Sequence, residues 1–550
     1  MGGLGIDDCR LRIADFALRS FDALTTGKLR ASLGDGFRIA GYELRITGYE
    51  YQLRITGNEP KYRLNKRLGE NVKRKNWQEA ASGGKRWQAA ASGGKRRQAV
   101  ASGGKRWQEA ASGGKGGARA NYRFPFCRLK VICNLMRALV YDIRPVGWAT
   151  CKCLRLFWRG CILSRLNGLA LREIPAPELP GDDWVRVRTL MGGICGSDLA
   201  IIDQKQPAES ILQAFSSAPM GLGHENVAVV EEVGRAVAKT WLGRRVCVEP
   251  TLCCKVRGIE PPCERCAEGQ LGACESFGDD GSGSAKLPPG TSIGYNSRTG
   301  GSFGECFVAH VSQLVAVPDA LSDEQALLTD PLACALHAVL RADVGEAGRV
   351  LVCGCGMLGL GIVASLRAVG YTGRIDVVDR QEYLRVPAEA AGADAFLILP
   401  GGARQRFERI AERTGATVQR VRFGNYMLSG GYDVVFDCVG SRLSIGESLK
   451  WAKARGQVVL VATGHGRGVD LTPIWFRELT VIGAWGRQAE DFEGKKIGTY
   501  QLTHRMMVDG RLGARGLLTH TFPLADYRTA LKVAMCKAEH KAVKVAFDFR

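Results

Sequence analysis

The chain has 550 residues, 45% of them hydrophobic and 24% charged, which is the balance of a folded protein with room for two or more cores. It contains no apolar run of about 18 residues, the length a membrane-spanning helix needs, and Met1-Gly2-Gly3-Leu4-Gly5 lacks the basic-then-apolar pattern of a secretory leader, so a cytoplasmic location is expected and no membrane partner. The net charge of +21 would suit a nucleic-acid partner, but residues 1–135 hold 27 Lys and Arg against 11 Asp and Glu, so most of the excess lies in that stretch and not in the rest.

Residues 1–75 carry a nine-residue echo, Tyr42-Glu43-Leu44-Arg45-Ile46-Thr47-Gly48 against Tyr51-Gln52-Leu53-Arg54-Ile55-Thr56-Gly57. Residues 76–115 are four ten-residue copies of the NWQEAASGGK type. Each copy has at most one large apolar residue, too little to bury a core, so the whole basic extension 1–135 is expected to be disordered. Two readings stand for it. One is a tail that neutralises phosphates and stacks tryptophans on unpaired bases. The other, which we prefer, is a translated repeat upstream of a true start at Met136, and it leaves nucleic acid as an unexpected partner.

From Met136 the body opens with strands, and Val185 to Leu190 alternates as a half-buried strand does. That strand leads into Gly193-Ile194-Cys195-Gly196-Ser197-Asp198, and an apolar approach leads to Gly223-His224-Glu225. A thiolate, an imidazole and a carboxylate converging from separate segments make a zinc site with an open position, the form that reactive zinc takes. Cys254, Cys263, Cys266 and Cys274 instead supply four thiolates, with an x2 and an x7 gap, for a closed zinc site that only shapes a loop. Cys253 is the rival first donor. Nineteen cysteines in a chain with such spacings point to reduced thiols and metal sites rather than disulfides.

Residues 201–222 and 278–304 read as loops, and Ser322 caps a helical stretch from Leu321 to Leu340. A new unit begins at Arg349. The strand Arg349–Cys353, the turn Gly354-Cys355-Gly356-Met357-Leu358-Gly359, a helix, and a strand ending in Asp379 form the dinucleotide-binding pattern, with Gly354, Gly356, Met357, Leu358, Gly359, Asp379 and Arg380 as candidate contacts. Parallel strands follow near 433–437, 458–461 and 479–482, and a last one at 542–547. The Arg- and Gly-rich stretch 401–429 has no clear assignment.

These motifs together resemble the zinc-dependent medium-chain dehydrogenases of the alcohol dehydrogenase superfamily, over about 136–550, and within it the threonine-, polyol- and glucose-dehydrogenase-like branch. The resemblance implies an α/β fold: a GroES-like β-rich catalytic domain over 136–333, completed by 486–550, around a Rossmann domain with a doubly wound parallel sheet over 334–485. It implies two Zn²⁺ per chain and NAD, with NADP the lesser choice, and reversible oxidation of a secondary alcohol, polyol or sugar by a homodimer or homotetramer. Cys195, His224 and Asp330 become the catalytic zinc ligands, with Cys334 as the rival third donor. Ser197 becomes the proton-passing hydroxyl and Asp198 the acceptor that orients His224. Glu225 is either a supporting carboxylate or a ligand that alternates with water.

There are departures. Ala200 stands where liver-type alcohol dehydrogenases carry a relay histidine, Ala228 where the family signature prefers glycine, and Arg380 beside Asp379 would tolerate a 2′-phosphate. Two other classes compete: a non-catalytic zinc and dinucleotide-binding protein, set against the joint presence of Cys195, Ser197, His224 and Asp330, and a nucleic-acid-binding protein acting through its extension, which a chain beginning at Met136 would separate from the enzyme.

Overall fold

The computed structural model describes residues 36–39, 42–47, 50–55 and 135–550, apart from 207–209, 346–347, 463 and 465–467. The four repeats of 76–115 lie outside the described residues. Two compact units result, Met1–Asn121 and Tyr122–Arg550.

In the first unit three short strands are described, on the nine-residue echo and just before it. Tyr42–Thr47 and Glu50–Ile55 pair antiparallel, and Gly36–Ile39 adds a third strand. The register sets Leu44 opposite Leu53 and Ile46 opposite Tyr51. Alternating β-formers on both arms, with Gly48 between them, favour this pairing.

In the second unit Leu135–Tyr141 lies between Leu169–Pro175 and Met220–Gly221 in a small antiparallel sheet. Between its first two strands, where only strands were anticipated, the chain makes an excursion containing the helix Pro145–Leu154, opened by Pro145 in its first turn. The excursion braces the helix Gly196–Ile202: Asn167 Nδ2 donates to Ile202 O at 2.8 Å, and Arg155 pairs with Asp203 at 3.2 Å. A larger sheet runs in the order 314–316, 245–248, 225–233, 184–193, 544–548, 518–523, with Cys306–His310 also paired to Trp184–Gly193. The C-terminal strand Lys544–Asp548 thus returns to the centre of this sheet and sets Ala546 opposite Gly193.

The six-stranded sheet is parallel throughout, in the order 395–398, 374–379, 349–353, 432–437, 452–460, 480–483. Strand order reverses around Arg349–Cys353, so the switch point lies at the Gly-rich turn, where such sheets bind ligands. The unassigned 401–429 stretch is the helix Ala403–Thr414 followed by a hairpin of Thr417–Arg420 and Tyr426–Ser429. Ser322 caps the helix Asp323–Ala326 as anticipated, and Thr329–Arg341 follows. Thr329–Arg341 packs on the helix Met357–Ala368 at Gly361, where a Cβ would come 2.8 Å from that of Ala335. One core runs through both sheets, holding Leu190, Met191 and Val227 with Leu332, Val350 and Ile362. A β-rich part joined to a doubly wound parallel sheet is the α/β class expected from the sequence.

Candidate metal centre and nucleotide-binding turn

Strand pairing assembles the metal centre. Gly193 stands opposite Glu225, so Cys195, two residues past the end of one strand, and His224, just before the start of the other, meet at one end of the sheet. Glycine is required twice. A Cβ on Gly193 would lie 3.1 Å from Lys544 Cε and collide with the Glu225 carboxylate, and Gly223, at φ +91°, would drive one into Phe303 at 2.4 Å. The donor atoms of Cys195, His224 and Glu225 lie within 4.8 Å of one another. Cys195 and Ser197 remain partly exposed while His224, Glu225 and Asp198 are buried, so the cluster has one open side.

Asp198 ties the cluster to its helix. Its Oδ2 accepts from Cys195 N at 3.0 Å, and its Oδ1 lies 3.4 Å from His224 Nδ1. Burial alone would lower the pKa of His224, but the charge of Asp198, with Cys195 adding to it, raises it to about 10. A position that holds a proton on a buried imidazole so firmly is one that attracts a cation, and a soft thiolate, an imidazole and a carboxylate are donors that suit Zn²⁺.

Asp330 is not brought to this cluster, contrary to the sequence expectation. Its Oδ1 accepts from the Arg487 guanidinium and from the Tyr500 hydroxyl at 2.5 Å, both buried. Asp330 balances a buried guanidinium there, and the carboxylate that lies with Cys195 and His224 is Glu225, itself paired with Lys544. Cys334 is outside the cluster too, though the charges of Cys195 and Glu225 reach it and add to the burial that raises its thiol pKa.

Three residues of these sites escaped the sequence reading. Lys544 is buried, donates to Ile194 O at 3.1 Å and forms an ion pair with Glu225. The Tyr295 hydroxyl lies 2.9 Å from Ser197 Oγ and 3.0 Å from Asp198 Oδ1. Arg257, fully buried, donates to six carbonyls, from Leu252 O at 2.9 Å to Gly290 O at 2.7 Å, and so pins the loop around the four cysteines. No periodicity marks any of them, and only the strand containing Lys544 was legible.

Cys254, Cys263, Cys266 and Cys274 have their sulfurs within 4.8 Å of one another; Cys253 is not in the group. Against the burial that would raise it, backbone N–H groups of Glu275 and Cys266 bring the Cys263 thiol down to about 7. Ser276 N donates to Cys274 Sγ at 3.4 Å, and Cys263 N to Cys254 Sγ at the same distance. Such backbone donors pull toward thiolate, the form that binds metal, while burial and the neighbouring thiols hold Cys254, Cys266 and Cys274 above their ordinary range.

At the switch point Gly354 adopts φ +88°, and a Cβ there would meet Val439 at 2.5 Å. A Cβ on Gly359 would strike Gly354 O at 1.9 Å, whereas Gly356 has nothing within 4 Å, leaving its backbone open to a phosphate. Met357 and Leu358 begin the helix, whose N-terminal N–H groups suit an anion. Asp379 Oδ2 accepts from Cys355 N at 2.6 Å, joining the acid to the turn, while Arg380 is exposed beside it.

Comparison with known proteins agrees with this geometry. Residues 181–319 match the alcohol dehydrogenase GroES-like domain, and residues 358–497 match the zinc-binding dehydrogenase domain. The sorbitol dehydrogenase of Arabidopsis thaliana is 27% identical over 70% of this chain and 94% of its own length. In fold, the chain resembles an Escherichia coli alcohol dehydrogenase complexed with NADH (TM-score 0.55, 21% identity, 76% of this chain and all of that one). It also resembles a Sinorhizobium meliloti zinc-binding dehydrogenase bound to NADP (TM-score 0.54, 24% identity, 75% of this chain and 99% of that one). The chain belongs to the zinc-binding, medium-chain alcohol dehydrogenase superfamily, and it is an oxidoreductase of the kind that acts on CH–OH groups.

Proposed function

We propose that the chain oxidises a secondary alcohol, polyol or sugar reversibly, with one catalytic and one structural Zn²⁺ and with NAD as hydride acceptor. The convergence of Cys195, His224 and Glu225 carries this reading. These three residues would hold the catalytic ion, and Cys254, Cys263, Cys266 and Cys274 the structural one. A zinc ion so held supplies Lewis acidity that makes a substrate hydroxyl easier to deprotonate.

The chain's own residues do the rest. Asp198 fixes the His224 ring, Lys544 balances the charge of Glu225, and Ser197, partly exposed, takes the substrate's hydroxyl proton. With alanine at 200, no imidazole continues that path. Gly354, Gly356 and Gly359 shape the pyrophosphate cradle, Met357 and Leu358 open the helix beneath it, and Asp379 accepts the adenosine-ribose hydroxyls and repels a 2′-phosphate, which favours NAD despite Arg380. The catalytic part is taken as 136–333 with 486–550, the nucleotide part as 334–485, and the assembly as a homodimer or homotetramer. Among the described residues no helix is long and apolar enough to cross a membrane.

The test is NADH formation from a panel of polyols, sugars, amino-alcohols and simple alcohols, before and after chelation of zinc. Turnover that disappears on chelation and returns with Zn²⁺ is expected. Absence of turnover with every CH–OH donor, or turnover indifferent to zinc removal, overturns the proposal.

A further inference from the structure

Leu156, Phe157 and Trp158 follow the helix Pro145–Leu154 as one turn, and they are 76%, 88% and 56% exposed. Three consecutive large apolar side chains in water run against the burial that builds the rest of the fold, and contiguous exposed apolar surface marks a place where something docks. The turn is well tied. Phe157 N and Trp158 N both donate to Leu154 O, at 2.9 and 2.8 Å, and Cys161 N donates to Trp158 O at 3.2 Å. On either side of it in sequence, Cys151, Cys161 and Ile162 form a small buried cluster. These backbone N–H groups already have partners, so the turn can leave water without orphaning them.

Charge decides between occupants. Residues 143–168 hold five cations, Arg144, Lys152, Arg155, Arg159 and Arg165, and no carboxylate. The nearest acids are already paired, Asp142 with Arg144 and Arg172, and Asp203 with Arg155 and Lys205. Lys152, Arg159 and Arg165 have no carboxylate partner among the described residues. A second copy of the chain would set these cations against their own equivalents, and the Lys- and Arg-rich stretch 1–135 is of like charge. A nucleic acid would take the cations but offers Leu156 and Phe157 no apolar medium. A bilayer with anionic headgroups answers both features.

We propose that residues 155–159 are a membrane-surface anchor. Leu156, Phe157 and Trp158 enter the boundary between headgroups and acyl chains of an anionic bilayer, about 5–10 Å deep. Lys152, Arg159 and Arg165 stay at the phosphates, their aliphatic stems lying along the apolar residues. Trp158, with an apolar ring and one N–H, suits the interface itself. The protein then lies on the membrane and does not cross it, in keeping with the lack of a spanning helix among the described residues. This revises the sequence expectation of no membrane partner, and it goes beyond the dehydrogenase reading without depending on it.

Sedimentation of the full chain with vesicles tests the anchor, one set of phosphatidylcholine alone and one of phosphatidylcholine mixed with phosphatidylserine. Binding to the mixed set is expected. The basic stretch 1–135 also attracts anionic lipid, so the deciding comparison is with the triple variant Leu156→Ser, Phe157→Ser, Trp158→Ser. All three side chains are more than half exposed, so the variant should keep the parent's melting temperature. Its partition onto the mixed vesicles should fall by about tenfold or more. Acyl chains brominated near the headgroup should quench the tryptophan fluorescence of the parent more than that of Trp158→Phe. Equal partition of parent and triple variant, binding by neither, or equal quenching in Trp158→Phe overturns the anchor. Binding to polyglutamate or to single-stranded DNA that falls in the triple variant, while vesicle binding does not, assigns the turn to that partner and overturns it too. If the triple variant does not fold, Phe157→Ser alone replaces it, with an expected fall of about threefold or more.

Discussion

Lys544 and Glu225 form an ion pair shut away from solvent, with 3% of the lysine and 1% of the glutamate exposed, at the edge of the proposed metal centre. Lys544→Met keeps the volume and removes the charge, so Glu225 is left buried and uncompensated. Breaking such a pair from one side costs about 3–5 kcal/mol. A bound Zn²⁺ would take over part of the compensation. The loss of unfolding free energy in guanidinium is therefore expected to be larger for zinc-free than for zinc-loaded protein, and an equal loss in both states would show that Glu225 does not face the metal.

Zinc content separates the candidate donors. His224→Asn should reduce the bound zinc from two ions per chain to one, whereas Asp330→Asn should keep both, because Asp330 is held by Arg487 and Tyr500. In the second site Cys254→Ser should remove one ion, and Cys253→Ser neither. Loss of zinc in Asp330→Asn would restore that residue as a ligand.

Asp379 is joined to the Gly-rich turn through Cys355 N, so its substitution acts on the ribose contact and on the turn. Asp379→Asn removes the charge that repels a 2′-phosphate and weakens charge-assisted hydrogen bonds of about 1.5–3 kcal/mol. The preference for NAD over NADP, read from kcat/KM for the two cofactors, should fall by roughly tenfold or more, and an unchanged ratio would mean that the acid does not meet the ribose.

His504 gives the fold an acid-sensitive point away from both metal sites. Burial holds its pKa down to about 4, against a backbone hydrogen bond to Ala316, and its Nε2 lies 2.9 Å from Thr329 Oγ1. The folded pKa is below the unfolded 6.5, so the unfolded chain binds the proton first. Stability is unaffected above about pH 6.5, declines as pH falls from there to about 4, and declines no further from this group below that. The total comes to about 3 kcal/mol at 1.36 kcal/mol per unit. His504→Gln should flatten this part of the stability-against-pH curve, and parallel curves for the two proteins would contradict the assignment.

How much could be read from the sequence depended on how local each signal was. The turn Gly354–Gly359 and the acid at 379 were legible because strand, turn, helix and strand are contiguous and each glycine answers a local steric demand. The four cysteines were legible through their spacing. Cys195 and His224 were legible as donors and Glu225 as a supporting or alternating carboxylate, but which acid lies beside them, Asp330 or Glu225, was not, because that placement comes from the folded sheets and helices, which set Asp330 against Arg487 and Glu225 against Lys544. Tyr295 lies in a Gly- and Ser-rich loop, where neither period nor charge marks a tyrosine that will reach Ser197. The excursion 142–168 escaped because its helix begins at a proline and is stabilised by tertiary contacts such as Arg155 with Asp203.

Anomalous diffraction at the zinc edge tests the central claim most directly. Two peaks per chain are predicted: one bounded by the sulfurs of Cys254, Cys263, Cys266 and Cys274, and one within bonding distance of Cys195 Sγ, a His224 ring nitrogen and a Glu225 carboxylate oxygen. A single peak at the four cysteines, with none beside Cys195, would contradict the claim that this fold holds a catalytic metal.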